Sequence, residues 1–162
     1  MNEREFRNLP RAIRERAEKI PRSQIEEDPA VQSLLEERDI HEEEHREAVA
    51  AAQVVREAIN DVKSERETFE ARIDELEKGR PELALQILLG EAEEAEDDKL
   101  LEEVEHLRRK IQRGDLALPF LESRLARADA PIRYAANRVC DTDIALELRR
   151  RAVSVKLAEK MS

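Results

Sequence analysis

The sequence predicts an all-α protein: a long antiparallel coiled-coil helical hairpin with short flanking helices, expected to self-associate. Three observations carry this. First, one stripe recurs with strict 4-3 spacing at Leu34, His41, His45, Ala48, Ala52, Val55, Ile59, Val62, Phe69, Ile73 and Leu76. Arg38 and Arg66 fill the two remaining positions. This 3.5-residue period, held over six heptads, is that of a helix that lies against another helix. Second, 42% of the 162 residues are charged and 2% aromatic, with three Gly and no Trp, a composition typical of long helices rather than thick cores. Third, Gly79 and Pro81 divide the middle of the chain into two arms of nearly equal length.

The elements follow in order. Residues 1–27 form a short helical segment, with Phe6, Leu9, Ile13, Ala17 and Ile20 on one side and interruptions at Pro10 and Pro21. Ser23 and Glu26 have capping-box spacing. Asp28 as N-cap and Pro29 at the first helical position mark the start of the long helix. The hairpin occupies residues 28–128, with arms 29–78 and 81–128, because Gly79 is placed as a C-terminal stop and Pro81 as a block to continuation. In the second arm the stripe pauses over the acidic run Glu91–Asp98 and resumes at Leu100, Val104, Leu107, Ile111, Leu118, Leu121 and Leu125. Gly114-Asp115 and Pro119 predict a kink or a restart there. Residues 129–162 form a basic helix pair, with a turn at Cys140–Asp143 before a last amphipathic helix over 144–160.

A fold-back at Gly79 sets Ile59 against Leu100, Val55 against Val104, Ala52 against Leu107 and Ala48 against Ile111. Stripe then meets stripe along an antiparallel pair. In that register Val62 to Phe69 faces the acidic run and lacks an apolar cover. A second chain is the expected cover, so Val55, Ile59, Val62, Arg66, Phe69 and Ile73 are the candidate self-association seam. A parallel dimer through the first helix is the alternative, because a heptad does not encode orientation.

The net charge of −10 is unevenly placed. Residues 1–24 carry seven basic and four acidic side chains, residues 25–123 carry 13 and 30, and residues 124–162 carry nine and five. An acidic body with basic ends can steer self-association or aim an end at an acidic partner. Cys140 is the single cysteine, so no intrachain disulfide forms. The N-terminal MNEREFRNLP lacks the apolar core of a signal peptide, and no stretch reaches the ~20 apolar residues of a bilayer span. A cytoplasmic protein without membrane contact is expected, and no cofactor, since seams lack the apolar and aromatic walls of cofactor pockets.

Four constellations bear on chemistry. His41-Glu42-Glu43-Glu44-His45 matches the H-E-x-x-H pattern, whose two histidines share one helix face and can hold zinc. Zinc catalysis needs a third ligand and a cleft, and His106 sits far from this pair in the expected register. His41 and His45 are read first as polar seam residues and second as metal ligands. Glu42-x-x-His45 and Glu103-x-x-His106 also spell the ligand pair of di-iron bundles, but at different levels of the hairpin. The acidic run can attract cations or a basic partner. Arg149, Arg150, Arg151 and Lys156 on the last helix can contact an acidic partner or nucleic-acid phosphates.

The expected function is that of a non-enzymatic assembly factor, adaptor or scaffold. It acts through a homo-oligomer, a dimer or higher, and through contacts with another protein. A dimeric nucleic-acid-binding regulator using the C-terminal helix pair is the alternative, and a metal-binding bundle the third.

Overall fold

A computed structural model describes residues 1–161. It is almost wholly helical, with no strand among the described residues. The helices are α1 (Glu3–Arg7), α2 (Arg11–Lys19), α3 (Arg22–Glu26), α4 (Pro29–Leu88) and α5 (Glu94–Lys160). The two long helices, α4 and α5, pack against each other as a helical hairpin. Two compact units divide the chain: one combines Met1–Ala50 with the segment from Asp129 onward, and the other is Ala51–Ala128. Both long helices contribute to each unit.

The start of α4 is the expected one. The Asp28 carboxylate accepts the Ala30 and Val31 N–H groups, each at 3.1 Å, and Pro29 opens the helix where its missing donor is not needed. The expected stop is not. The helix runs through Gly79 and Pro81 to Leu88. Pro81 removes one interior hydrogen bond, but continuing the helix buries more of the stripe: Leu83 and Ile87 extend the 4-3 pattern and are half-buried. The reversal comes at Gly90, the one described residue with positive φ, at 73°. There the Gly90 N–H donates to Ile87 O at 3.1 Å and the Glu91 N–H to Gln86 O at 2.8 Å. This nested pair closes the helix end as a Schellman motif, with glycine in the left-handed position. Glu94, Glu96 and Asp97 then occupy the first turn of α5, where acidic groups favour the positive end of the helix dipole. The acidic run thus spans both the end of the connection, Glu91–Glu93, and the first turn of α5.

The displaced turn changes the register. Val104 and Leu107 pack with Ile73, not with Val55 and Ala52, and Phe69, Leu76, Leu100 and Ile111 surround them. Four bridges join the helices of this unit: Arg66–Asp115, Arg72–Glu103 at 3.1 Å, Arg80–Asp97 at 3.0 Å and Arg108–Glu77. No restart of the helix occurs at Gly114–Pro119, and no turn at Cys140–Asp143. The helix α5 continues through both and through Pro131. Its less exposed positions keep their 3- and 4-residue spacing through Leu118, Leu121, Leu125, Ala128, Ile132, Ala135, Val139, Thr142 and Leu146. That continuous apolar face outweighs the local breaker signals.

In the unit formed by both chain ends, the short helices find their cover. Ala17 is buried with Val155 and Ala158, with Met1, Phe6, Leu9 and Ile13 packed against them. Val31, Leu146 and Val153 form a second cluster with Ile25, Leu34, Leu35 and Leu157. The amphipathic pattern of residues 6–20 thus faces the end of α5. Asn2 and Glu5 make a reciprocal capping box on α1, at 2.8 and 3.0 Å. Ser23 caps nothing; Pro21 precedes α3, and Glu26 bonds Arg22 at 3.0 Å.

Candidate interaction surfaces

The histidines lie in the unit of the chain ends. His41 is only 5% exposed, as a seam position should be. Its Nε2 is 3.4 Å from Glu37 Oε1 and its Nδ1 3.5 Å from Glu44 Oε2. Both carboxylates come from its own helix, so the contacts are local. His45 is half-buried and lines a shallow groove of about 470 Å³ with Glu42, Arg46, Ala136, Val139 and Cys140. Glu42 is bridged to Arg38 at 3.0 Å. Among the described residues no three His, Cys, Asp or Glu side chains converge as a metal cage requires. His106 is exposed and belongs to the Ala51–Ala128 unit, whereas Glu42 and His45 belong to the other.

The expected seam is used within the chain. Val55, Ile59 and Ile73 are buried, and Ile73 packs on Val104 and Leu107 of α5. Val62 and Phe69 are half-buried, and they face Lys110–Ala117 rather than the acidic run. The two helices do not close fully here. They leave a groove of about 430 Å³ lined by Val62, Phe69, Ile111 and Gly114, among others. Arg66 bonds Glu70 at 3.0 Å and also pairs with Asp115. The Glu70 hydrogen bond and then the Asp115 charge hold the Arg66 guanidinium above its ordinary pKa. Lys110 Nζ lies 5.3 Å from the Phe69 ring centroid, a cation–π distance.

The basic residues of the C-terminal segment meet acids of the N-terminal one. Arg149 donates to both carboxylate oxygens of Asp28, at 3.2 and 3.4 Å. That hydrogen bond is the largest influence on Asp28 and lowers its pKa. The Val31 and Ala30 N–H bonds add to this, against partial desolvation. Arg150 bonds Glu26 at 3.0 Å and Arg151 bonds Glu147 at 2.9 Å. Lys156 is exposed. Two of the three consecutive arginines therefore hold the chain's own ends together. No turn precedes them, so the expected helix pair is one helix.

Surfaces that the sequence reading left out lie in the Ala51–Ala128 unit. Leu116 and Phe120 are 65% and 78% exposed, one turn apart on α5 and off the Leu118–Leu121–Leu125 face. At the reversal Leu85, Leu88 and Leu89 are also open to solvent, Leu88 to 85%. The available signal was surplus: Leu116–Leu121 contains more apolar side chains than one seam can use. Arg113, Arg124 and Arg127 share the Leu116–Phe120 side of α5 by helical spacing and are exposed, with no ion pair among the described residues.

No family model, curated protein or solved structure matches this chain.

Proposed function

We infer that the protein is a non-enzymatic scaffold or adaptor that works through helical protein–protein contacts and associates with copies of itself. One observation carries this reading: large apolar side chains stand in solvent on the Ala51–Ala128 unit, off the face by which its two helices pack. Leu88, Leu89, Leu116 and Phe120 are spent on no core, and clustered exposed apolar groups mark interaction surfaces. The hairpin is an antiparallel coiled coil in this reading. Support comes from the 3- and 4-residue spacing of the sheltered positions on both helices. It also comes from three of the bridges, Arg80–Asp97, Arg72–Glu103 and Arg66–Asp115, whose residue numbers fall on α4 as they rise on α5. The working compartment is the cytoplasm.

The C-terminal nucleic-acid reading draws less support, because Arg149 and Arg150 are engaged by Asp28 and Glu26. Light scattering with small-angle X-ray scattering tests the main reading. The expected result is a mass of at least two chains at low salt, reduced by dilution. A single-chain mass at every concentration rejects it. Truncation at residue 131 is a poor probe, since it cuts α5 and removes Leu146, Val153 and Val155 from the packed clusters.

A further inference from the structure

The Ala51–Ala128 unit carries two exposed apolar patches of opposite charge. The first is the reversal, where Leu85, Leu88 and Leu89 stand beside Glu91, Glu93 and Asp98. None of these three acids has an ion-pair partner among the described residues, whereas Asp97 is taken by Arg80. The second is the stripe on α5 where Arg113, Leu116, Phe120, Arg124 and Arg127 recur every three or four residues. Its arginines are likewise unpaired among the described residues, while the neighbouring Arg108 and Arg109 are bonded to Glu77 and Glu105.

We propose that the leucine-rich acidic reversal of one copy docks on the Leu116–Phe120 arginine stripe of a second copy. The proposal rests on the self-association reading and names its contact. A chain cannot satisfy its own stripe: Glu94 and Phe120 lie 26 residues apart on one helix, or about 39 Å. Two copies can satisfy each other at once. With the hairpins side by side in opposite directions, each reversal reaches the other's stripe, and a two-fold axis relates the two contacts. Each contact has an apolar centre with a charged rim, the usual anatomy of a specific interface. The opposite charges set orientation and speed encounter. A nucleic acid suits the stripe less well. It leaves the exposed leucines of the reversal without a role, and the net charge of −10 opposes its approach.

Charge reversal on the full chain tests this. One variant carries Arg113→Glu, Arg124→Glu and Arg127→Glu; the other carries Glu91→Lys, Glu93→Lys and Asp98→Lys. All six positions are exposed, and circular dichroism checks that helicity is kept. By light scattering, wild type is expected at twice the chain mass and each variant alone at half of that. An equimolar mixture of the two should return to the doubled mass, because each reversal then meets a stripe of opposite charge. The neutral variant Phe120→Ser should weaken the wild-type dimer at all salt concentrations. Variants that remain dimeric overturn the docking site while leaving self-association intact. A monomeric wild type overturns both. A monomeric wild type that binds a labelled single-stranded oligonucleotide, with binding lost in the arginine variant, assigns the stripe to nucleic acid instead.

Discussion

Gly114 of α5 lies directly against Val62 of α4: a Cβ at position 114 would stand 3.0 Å from Val62 Cγ1. The close approach explains why glycine sits in mid-helix at a sheltered stripe position. It also borders the groove beside Phe69. The other helical glycine, Gly79, has nothing within 4 Å of the equivalent point.

The two helical glycines should therefore respond differently to alanine. Gly79→Ala is expected to stabilise by about 0.5–1 kcal/mol, the ordinary gain in helix propensity. Gly114→Ala gains the same propensity but pushes on Val62, so its net effect should fall below that of Gly79→Ala. Gly114→Leu should destabilise outright. Urea unfolding of the three variants measures the order.

Gly90→Ala should destabilise by roughly 1 kcal/mol, because a side chain at φ 73° pays the left-handed penalty. An alanine at Gly79 and one at Gly90 then have opposite signs. That contrast checks the position of the reversal without a structure determination.

Leu107→Ala should cost about 2–4 kcal/mol, the range for an aliphatic side chain removed from a packed cluster. Leu107 packs with Ile73 and Val104 and is buried. Leu116→Ala, one helix face away and open to solvent in the single chain, should leave the unfolding free energy within about 0.5 kcal/mol of wild type at protein concentrations low enough to keep the chain monomeric.

Asp28 makes a pH prediction. Its folded pKa lies below the ordinary carboxylate value, chiefly through Arg149. A depressed carboxylate pKa contributes stability above the unfolded value, near 3.9, and loses it as pH falls through the folded value. Wild type should thus lose Tm below about pH 4 in part through this group. Asp28→Asn keeps a capping oxygen but lacks the titration, so its Tm difference from wild type should shrink in that window. Thermal melts from pH 6 down to pH 2.5 follow it.

The helical class and the entry to α4 were legible because both rest on local chemistry. A proline at N1 after an aspartate cap has one reading, and a six-heptad stripe has one secondary structure. The stripe also marked Val55, Ile59 and Ile73, which are buried. The register was not legible, because a heptad pattern resembles itself at many shifts. Val104 suits Val55 and Ile73 equally well by periodicity, and only the place of the turn separates them. That place was contested by two glycines. Gly79 with Pro81 is the stronger local breaker, yet Leu83 and Ile87 carry the buried face past it to Gly90. The same preference for a continuous face hid the course of α5 through Pro119, Pro131 and Asp141. The surface patches were missed for another reason. Pattern reading follows the stripe, and Leu116 and Phe120 fall off the Leu118–Leu121–Leu125 spacing, so they were given no role.

The two units differ in how their partners are ordered along the chain, and this bears on synthesis. Residues 51–128 are one continuous stretch, so that unit has every partner it needs once its last residue has emerged. Ala17 is different: its cover, Val155 and Ala158, is made about 140 residues later. The helices α1 to α3 therefore stay amphipathic and uncovered until residues 146–158 are made. Docking of that segment is therefore a long-range step that follows the local packing of residues 51–128.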